Sequence, residues 1–373
     1  MELIDLVINY VLPFLIILSV VVFVHEYGHY WVARRNGVRV EVFSIGFGRE
    51  LFGFNDRHGT RWKFSLIPLG GYVKMLGDAD ATSAVPDAET AWQAESFPAK
   101  RVAQRMAIVA AGPAANFVFA IVVLSVLFVV SGRPFTPAVV GEVQPESPAA
   151  AAGLMPGDRI IAVDGEAIDS FESLQMAVRD EAEVPLTFTL ERDGSTLDVT
   201  VVPALREIED RFGNRHRIGL VGISRSGVEF HRSNPATAVF EATAETGRMI
   251  GTTLAALGEM IVGTRGTDEL GGPLRIAQMS GAIAKDGLVP AIWFTAILSI
   301  NLGLINLFPI PMLDGGHLVL YAIEAMRGRP LGERFQEMAF RVGLAMVLTL
   351  MVFATWNDLV QLKVVKFVTG LIS

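Results

Sequence analysis

The sequence predicts a membrane protein that is mainly α-helical, with four transmembrane helices, a membrane-associated β element and one separate α+β domain. Hydrophobic residues make up 51% of the chain and charged residues only 19%, and the mean hydropathy is +0.44. Soluble domains carry about 25% charged residues. Four apolar stretches reach the roughly 20 residues that a helix needs to cross a bilayer. This composition disfavours an ordinary soluble enzyme and excludes a disordered chain.

Cysteine content and net charge exclude several classes of site. The chain has no cysteine, which excludes disulfides, iron–sulfur clusters, cysteine nucleophiles and thiolate zinc sites. A bound metal must therefore be held by His, Asp or Glu side chains. The formal net charge is −8, so we expect no nucleic-acid partner.

The four apolar stretches divide the chain into seven segments. The first stretch, at 6–33, lacks the basic start and the cleavage site of a signal peptide, so we expect it to stay as a span. The other stretches lie at 106–130, 289–308 and 342–367. The segments are 1–35 (first span), 36–105 (β element and loop), 106–132 (second span), 133–230 (α+β domain), 231–288 (helical segment along the membrane surface), 289–328 (third span and turn) and 329–373 (fourth span and C-terminus).

The charge of the connections predicts the orientation of the spans. Residues 34–105 carry eleven Lys and Arg against eight Asp and Glu, whereas residues 133–288 carry fourteen against twenty-three. The short connection between the third and fourth spans is rich in arginine. Since Lys and Arg accumulate on the cytoplasmic side, we expect the first and third connections in the cytoplasm. The acidic segment and both termini then lie on the opposite side.

Strand and turn patterns fill the two segments outside the spans. In the β element, residues 38–43 alternate like a strand, glycines at 46 and 48 interrupt it, and residues 64–73 can pair back. Residues 77–98 resemble an exposed loop. In the α+β domain, Asp164-Gly165 is typical of a hairpin turn, and residues 171–179 have helical spacing.

The end of the first span carries a pattern of ionisable residues, His25-Glu26-x-x-His29. Histidines four residues apart share one face of a helix and can bind one Zn²⁺ at about 2.0–2.1 Å each. The Glu between them would take a proton from water during hydrolysis. The alternative, two core histidines beside a capping Glu, is weaker because ionisable groups at membrane depth usually mark function. We therefore predict a metal site here, and the ligand type together with the family resemblance described below assigns it to one Zn²⁺ per chain.

A catalytic zinc usually has a third protein ligand, and the sequence offers three acids for that role. Glu41 and Glu50 follow the motif at surface-like strand positions. Asp314 is the better candidate because Pro309 and Pro311 break the third span just before it. Its alternative role is to cap the next helix. Under the predicted orientation, all three ligands lie at the cytoplasmic ends of their spans.

Two amides on the third span, Asn301 and Asn306, are candidates for holding an extended peptide or an oxyanion. Packing between helices explains polar residues in spans equally well.

Two separated motifs resemble those of the site-2 protease family of intramembrane metalloproteases. His25-Glu26-x-x-His29 is similar to its zinc motif, and Asn306-x-x-Pro309-x-x-x-x-Asp314-Gly315 is similar to its second motif. Shorter matches to the bacterial regulator-of-sigma-E branch extend the resemblance over nearly the whole chain. They are 46–48 and 70–75 in the β element, Gly112-Pro113-x-x-Asn116 in the second span, and Gly153-Leu154-x-Pro156-Gly157-Asp158-x-Ile160 in the α+β domain, which resembles a PDZ domain.

The resemblance implies a zinc endopeptidase of the bacterial inner membrane, with its active site toward the cytoplasm and its PDZ domain in the periplasm. Its substrates would be single-pass membrane proteins, such as anti-sigma factors or signal-peptide remnants, trimmed beforehand by another protease. Glu26 would be the catalytic base. An exposed strand edge around Phe43 to Phe47 would bind substrate by β-addition. The expected substrate contacts are Asn301, Asn306, Phe43, Gly46, Phe47 and Gly48.

The chain departs from the family in one respect, because the sequence contains one PDZ domain where the best-known members carry two. Residues 218–221 are either its carboxylate-binding loop or an ordinary core strand. Two other functions compete with proteolysis. A non-proteolytic PDZ adaptor would not need Glu26, and a metal transporter would be expected to have more spans and internal repeats.

Overall fold

The computed structural model describes residues 5, 7–78, 93–179, 181–209, 215–227, 229–263 and 271–361. Its helices that are long and apolar enough to cross a membrane are Val7–Arg35, Val102–Val130, Leu288–Asn306 and Arg334–Val360. They match the four stretches that hydropathy predicts, so the membrane part of the predicted fold class is confirmed. Most of the loop predicted at 77–98, and the end of the fourth stretch at 362–367, lie outside the described residues.

The helices and strands are numbered here in chain order. A π-helical turn at Val7–Val11 precedes the first helix. The helices are α1 (Leu12–Arg35), α2 (Val102–Val130), α3 (Pro148–Ala151), α4 (Phe171–Arg179), α5 (Pro235–Val262), α6 (Pro273–Lys285), α7 (Leu288–Asn306), α8 (Asp314–Arg327) and α9 (Glu333–Gln361). The strands are β1 (Val40–Asn55), β2 (Arg61–Met75), β3 (Arg133–Phe135), β4 (Val140–Val143), β5 (Arg159–Val163), β6 (Glu166–Ala167), β7 (Leu186–Arg192), β8 (Ser195–Val201), β9 (Ala204–Glu209), β10 (Arg215–Leu220), β11 (Ile223–Arg225) and β12 (Glu229–His231).

The chain forms two compact units. The first comprises residues 1–125, 239–252 and 268–373, and the second comprises 126–238 and 253–267. The first unit holds α1, most of α2, α6 to α9 and the β1–β2 hairpin. The second holds the strands β3 to β12 with α3 and α4.

The β1–β2 hairpin folds back on itself. Residues 42–45 pair with 71–74 on one side and with 61–64 on the other, and residues 50–55 also pair with 61–65. The chain turns sharply at Gly46 and Gly48, whose φ angles are 91° and 83°. Because left-handed φ values favour glycine, these two positions let one strand supply two segments of the sheet.

An aromatic cluster joins the hairpin to α1. The Phe43 ring stacks on Trp62 with centroids 4.2 Å apart and meets the edge of Tyr30. At the hairpin turn, the Asp56 carboxylate accepts hydrogen bonds from Tyr30 Oη at 2.9 Å and Trp62 Nε1 at 3.1 Å. Burial favours a higher pKa for Asp56, but these bonds and those from the backbone of Thr60 and His58 lower the pKa to about 2. The hairpin is thus fixed beside the helix that carries the histidines.

The second unit has its own hydrophobic core and the mixed α/β composition expected of a PDZ domain. Its main sheet has the order β6-β5-β7-β8, and β4 pairs with β11. Among the residues of this unit that the structure describes, fourteen buried ones form the core, including Phe188, Leu190 and Ile160. The predicted turn Asp164-Gly165 has φ values of 48° and 83°, as a two-residue hairpin turn of type I′ requires.

The stretch at 218–221 forms part of this core rather than an open loop. Residues 218–220 belong to β10 and pair with β9, and Val221 is buried. A Cβ on Gly219 would collide with the carbonyl oxygen of Val178, so the strand lies directly on α4. These contacts favour the ordinary-strand alternative for this stretch.

Candidate metal centre

The two histidines of the predicted zinc motif lie one turn apart on α1. Both are buried, and their rings meet edge to face with centroids 4.8 Å apart. Next to them, Gly28 lets α2 approach closely, because a Cβ there would collide with the carbonyl oxygen of Ala111. Small residues at helix contacts allow such close packing in membranes.

A break between two helices brings Asp314 to the histidines. Helix α7 ends at Asn306 and α8 begins at Asp314, with the two prolines in the connection as the sequence predicts. The glycines that follow are required by this turn. A Cβ on Gly315 would collide with the carbonyl oxygen of Leu307, and a Cβ on Gly316 with that of Ile310.

The other two acids considered as third ligands are bound elsewhere. Glu50 forms an ion pair with Arg61 across the hairpin, and Glu41 lies 3.8 Å from Lys74 Nζ. Among the described residues, the one group of three or more His, Cys, Asp and Glu side chains suited to a metal is His25, His29 and Asp314.

The three ligand atoms have the spacing of a tetrahedral metal site. Asp314 Oδ2 lies 3.1 Å from His25 Nε2 and 3.5 Å from His29 Nε2, and the two nitrogens are 3.2 Å apart. Bonds of 2.0–2.1 Å in a tetrahedron separate neighbouring ligand atoms by about 3.3 Å. The observed spacing therefore fits zinc.

The chemistry of these atoms also fits a cation. His29 Nδ1 lies 2.9 Å from the carbonyl oxygen of Ile108. A carbonyl can only accept, so Nδ1 carries the proton and Nε2 presents its lone pair to Asp314. Asp314 Oδ2 is buried and accepts no hydrogen bond in the described structure. The lone pairs of His29 Nε2 and Asp314 Oδ2 therefore converge, and a metal ion would stabilise them.

Helix α2 leaves room for both imidazoles at Gly112. A Cβ there would collide with His29 Nε2 and would lie 2.9 Å from His25 Cε1. Any side chain at this position would push the two imidazole rings away from their metal-binding positions.

Glu26 lies between the two histidines in sequence and faces the hairpin. It is half-buried. A Cβ on Gly71 would lie 3.1 Å from Glu26 Cγ and 2.8 Å from Val22 Cγ1. The absence of a side chain at Gly71 thus lets strand β2 pass directly beside Glu26.

The predicted substrate contacts are only partly accessible. Phe43 is 1% exposed, and its segment is paired on both sides, so the exposed edge predicted there is wrong at Phe43. Phe47 is 42% exposed and lies at the corner formed by Gly46 and Gly48. Among the described residues, the segments with a partner on one side only are 71–74, which pair with 42–45, and 50–55, which pair with 61–65.

Asn301 and Asn306 both lie on α7 and are half-buried. Five residues correspond to about 140° of rotation around a helix. The two amides therefore point in different directions and do not form one polar face.

Sequence reasoning missed the part that α2 plays in the centre. Gly112 and Asn116 were identified by their motif alone, without a role. In the structure, Asn116 is fully buried and its Nδ2 lies 3.2 Å from His25 Nδ1. An asparagine in an otherwise apolar span is a signal that could have identified Asn116 as a functional residue, although not the contact that it makes.

Comparison with known proteins identifies the family. Residues 13–350 match the profile described as peptidase family M50. The chain belongs to peptidase family M50, the site-2 proteases. It is therefore a metalloprotease of the site-2 type, and the predicted enzyme class is confirmed.

Full-length relatives support the same assignment. The chain is 48% identical to an Agrobacterium fabrum protein whose provisional name is zinc metalloprotease, over 95% of this chain and 96% of that protein. It is 34% identical to protease RseP of Yersinia pestis, over 94% of this chain and 98% of that protein.

Among solved structures, the PDZ domain of an SdrC-like protein from Listeria monocytogenes is a neighbour of this chain, with 18% identity and a TM-score of 0.19. The match covers 24% of this chain and 88% of that one.

Proposed function

We propose that this M50 chain is an intramembrane endopeptidase that cleaves the transmembrane segments of single-pass membrane proteins. One zinc per chain would be held by His25, His29 and Asp314. The observation that carries the proposal is the convergence of these ligand atoms within 4.8 Å of one another, with both histidines on a helix long enough to cross a bilayer.

The metal and Glu26 have separate roles in the proposed hydrolysis. When bound, zinc supplies Lewis acidity that polarises the scissile carbonyl and makes water more acidic. Glu26 takes the proton from the attacking water and delivers it to the leaving nitrogen. A bond forms between the carbonyl carbon and the water oxygen, and the peptide C–N bond breaks.

The substrate helix must unwind before this reaction, because its carbonyls are engaged in its own hydrogen bonds. Strand β2 offers replacement partners at 71–74, where Gly71 lies against Glu26. An extended substrate segment would add to this edge. Phe47, with Gly46 and Gly48, would border it, and Asn301 and Asn306 remain candidates for hydrogen bonds to its backbone.

We place the enzyme in the bacterial inner membrane, with the centre toward the cytoplasm and the PDZ domain in the periplasm. The excess of Lys and Arg in 34–105 and of Asp and Glu in 133–288 supports this orientation. The PDZ domain would then act on substrates trimmed by another protease. It would either bind their new C-termini or exclude bulky ectodomains.

Cleavage of a model single-pass substrate, truncated on the periplasmic side, tests the proposal in detergent with zinc content measured in parallel. We expect Glu26→Gln to keep about one zinc per chain and to lose about 10²–10⁴-fold in cleavage rate, the usual contribution of a general base. Glu337→Gln, on the exposed face of α9, is the matched control and should cleave at the wild-type rate.

Two results would contradict the proposal. Equal cleavage by wild type and Glu26→Gln would remove Glu26 from the reaction. Zinc binding without cleavage of any truncated substrate would favour a PDZ adaptor that has lost proteolysis.

A further inference from the structure

Helix α2 directs three positions at the zinc ligands, spaced by four residues: Ile108, Gly112 and Asn116. Residues at this spacing share one face of a helix. The Ile108 carbonyl accepts from His29, and Gly112 makes space for both rings. Asn116 is the remaining member, and its side chain meets His25.

The two histidines have the same arrangement relative to the site. Each directs Nε2 toward Asp314 and keeps Nδ1 for a partner on α2. For His29 that partner is a carbonyl oxygen, which fixes the proton on Nδ1 and leaves Nε2 ready to bind a metal. Histidine ligands commonly depend on such an acceptor for their orientation and tautomer.

For His25 the partner is an amide that has both a donor and an acceptor. Asn116 Nδ2 lies 3.2 Å from His25 Nδ1, while Asn116 Oδ1 is buried without a hydrogen-bond partner in the described structure. The two ends of an amide have nearly the same shape and exchange by a half-turn about one bond. Since nothing described holds Oδ1, the amide is free to present it to the ring.

We propose that Asn116 is the positioning residue of His25, and that its Oδ1 accepts a hydrogen bond from Nδ1–H of His25 when Nε2 of the same ring binds zinc. This inference rests on the proposed zinc centre. The backbone of Asn116 is well anchored, because its main-chain carbonyl oxygen accepts a hydrogen bond from Ser299 Oγ at 3.0 Å. The Cβ of Asn116 also packs on Gly303 of α7. The amide therefore turns while its backbone stays in place.

Zinc affinity of the full-length purified protein, measured by competition with a chelator, tests the inference. Asn116→Leu keeps the number and branching of the side-chain heavy atoms but removes the acceptor, so we expect zinc affinity to fall by about 10–100-fold. Asn116→Asp keeps an acceptor, so it should bind zinc at least as tightly as wild type. Ser125→Ala removes another buried polar group from α2, a hydroxyl that donates to the carbonyl oxygen of Ile121 in the same helix, and should leave the affinity unchanged.

The comparison separates positioning from packing. Wild-type affinity in Asn116→Leu would overturn the inference. So would an Asn116→Asp protein that binds zinc at least about 10-fold more weakly than wild type, and this result decides the question even if Asn116→Leu does not fold. His25→Ala provides the separate check on the centre itself, because unchanged zinc binding in that variant would contradict the proposed function instead.

Discussion

Gly112 is the residue where the smallest change should disturb the metal centre most. Replacing it by Ala places a methyl group against His29 Nε2 and close to the His25 ring. Since α2 cannot retreat without losing the Ile108 and Asn116 contacts, the imidazoles must move. We expect Gly112→Ala to lower zinc affinity by at least about 10-fold, as loss of ligand orientation typically does.

A second Gly→Ala change provides the control. Gly247 lies within α5 with open space where a Cβ would be. Gly247→Ala should leave zinc affinity unchanged and stabilise the protein by about 0.4–1 kcal/mol. If both variants bound zinc as wild type does, the close packing of α2 on the histidines would be wrong.

The sequence predicts the three metal ligands better than it predicts the residues that contact them. His25, His29 and Asp314 follow from spacing and from the rarity of ionisable groups at membrane depth, and the structure brings them together. The contacts of Gly112 and Asn116 could not be predicted, because they depend on which face of α2 meets α1. In an almost uniformly apolar span, periodicity carries no such information.

In the β1–β2 hairpin, the sequence predicts the strands but not how they pair. Alternation and glycine positions predict the strands, and the structure contains them. The fold-back at Gly46 and Gly48 was not predicted, since alternation specifies which residues share a face but not which segments pair. For that reason the sequence placed an open edge at Phe43, which is buried in the middle of the sheet.

In the second unit, one partly buried ion pair connects the turn before β5 to the end of β7. Asp158 is 1% exposed and accepts hydrogen bonds from Arg192 Nε at 2.7 Å and Nη2 at 2.6 Å. Breaking a fully buried pair by removing one partner costs about 3–5 kcal/mol, and the cost is lower here because the Arg192 side chain is partly exposed. We expect Asp158→Asn to speed amide hydrogen exchange in β5 and β7 by roughly 100-fold, measured on the full-length protein at pH 7.

A nearby acid provides the control for this prediction. Asp198 lies on β8 of the same sheet and accepts from Thr189 Oγ1 at an exposed position. Asp198→Asn should change exchange little. Equal exchange in both variants would contradict the importance of the Asp158–Arg192 pair.

Because of the same ion pair, we expect the stability of this domain to depend on pH. The hydrogen bonds from Arg192 lower the pKa of Asp158 in the folded domain. A lowered folded-state pKa contributes stability above the unfolded value of about 3.9 and loses it as the pH falls below that value. Wild-type protection, corrected for intrinsic exchange rates, should therefore approach that of Asp158→Asn below about pH 4. A difference that stays constant from pH 7 to pH 3 would contradict this assignment.

For the whole molecule, the metal centre depends on segments at opposite ends of the chain. The histidines come from the first spanning helix, and Asp314 begins the helix after the third. Hydropathy predicts the spans because a bilayer requires long apolar helices. It does not predict how the spans pack, so only the two motifs indicated that these ends meet.

Zinc content per chain in purified ligand variants tests the central claim most directly. The account predicts about one zinc per chain in wild type and in Glu50→Ala, the acid that is paired with Arg61 instead. His25→Ala, His29→Ala and Asp314→Ala should each retain far less zinc after dialysis against a chelator. Full zinc content in Asp314→Ala, or no zinc in wild type, would contradict the metal centre described here.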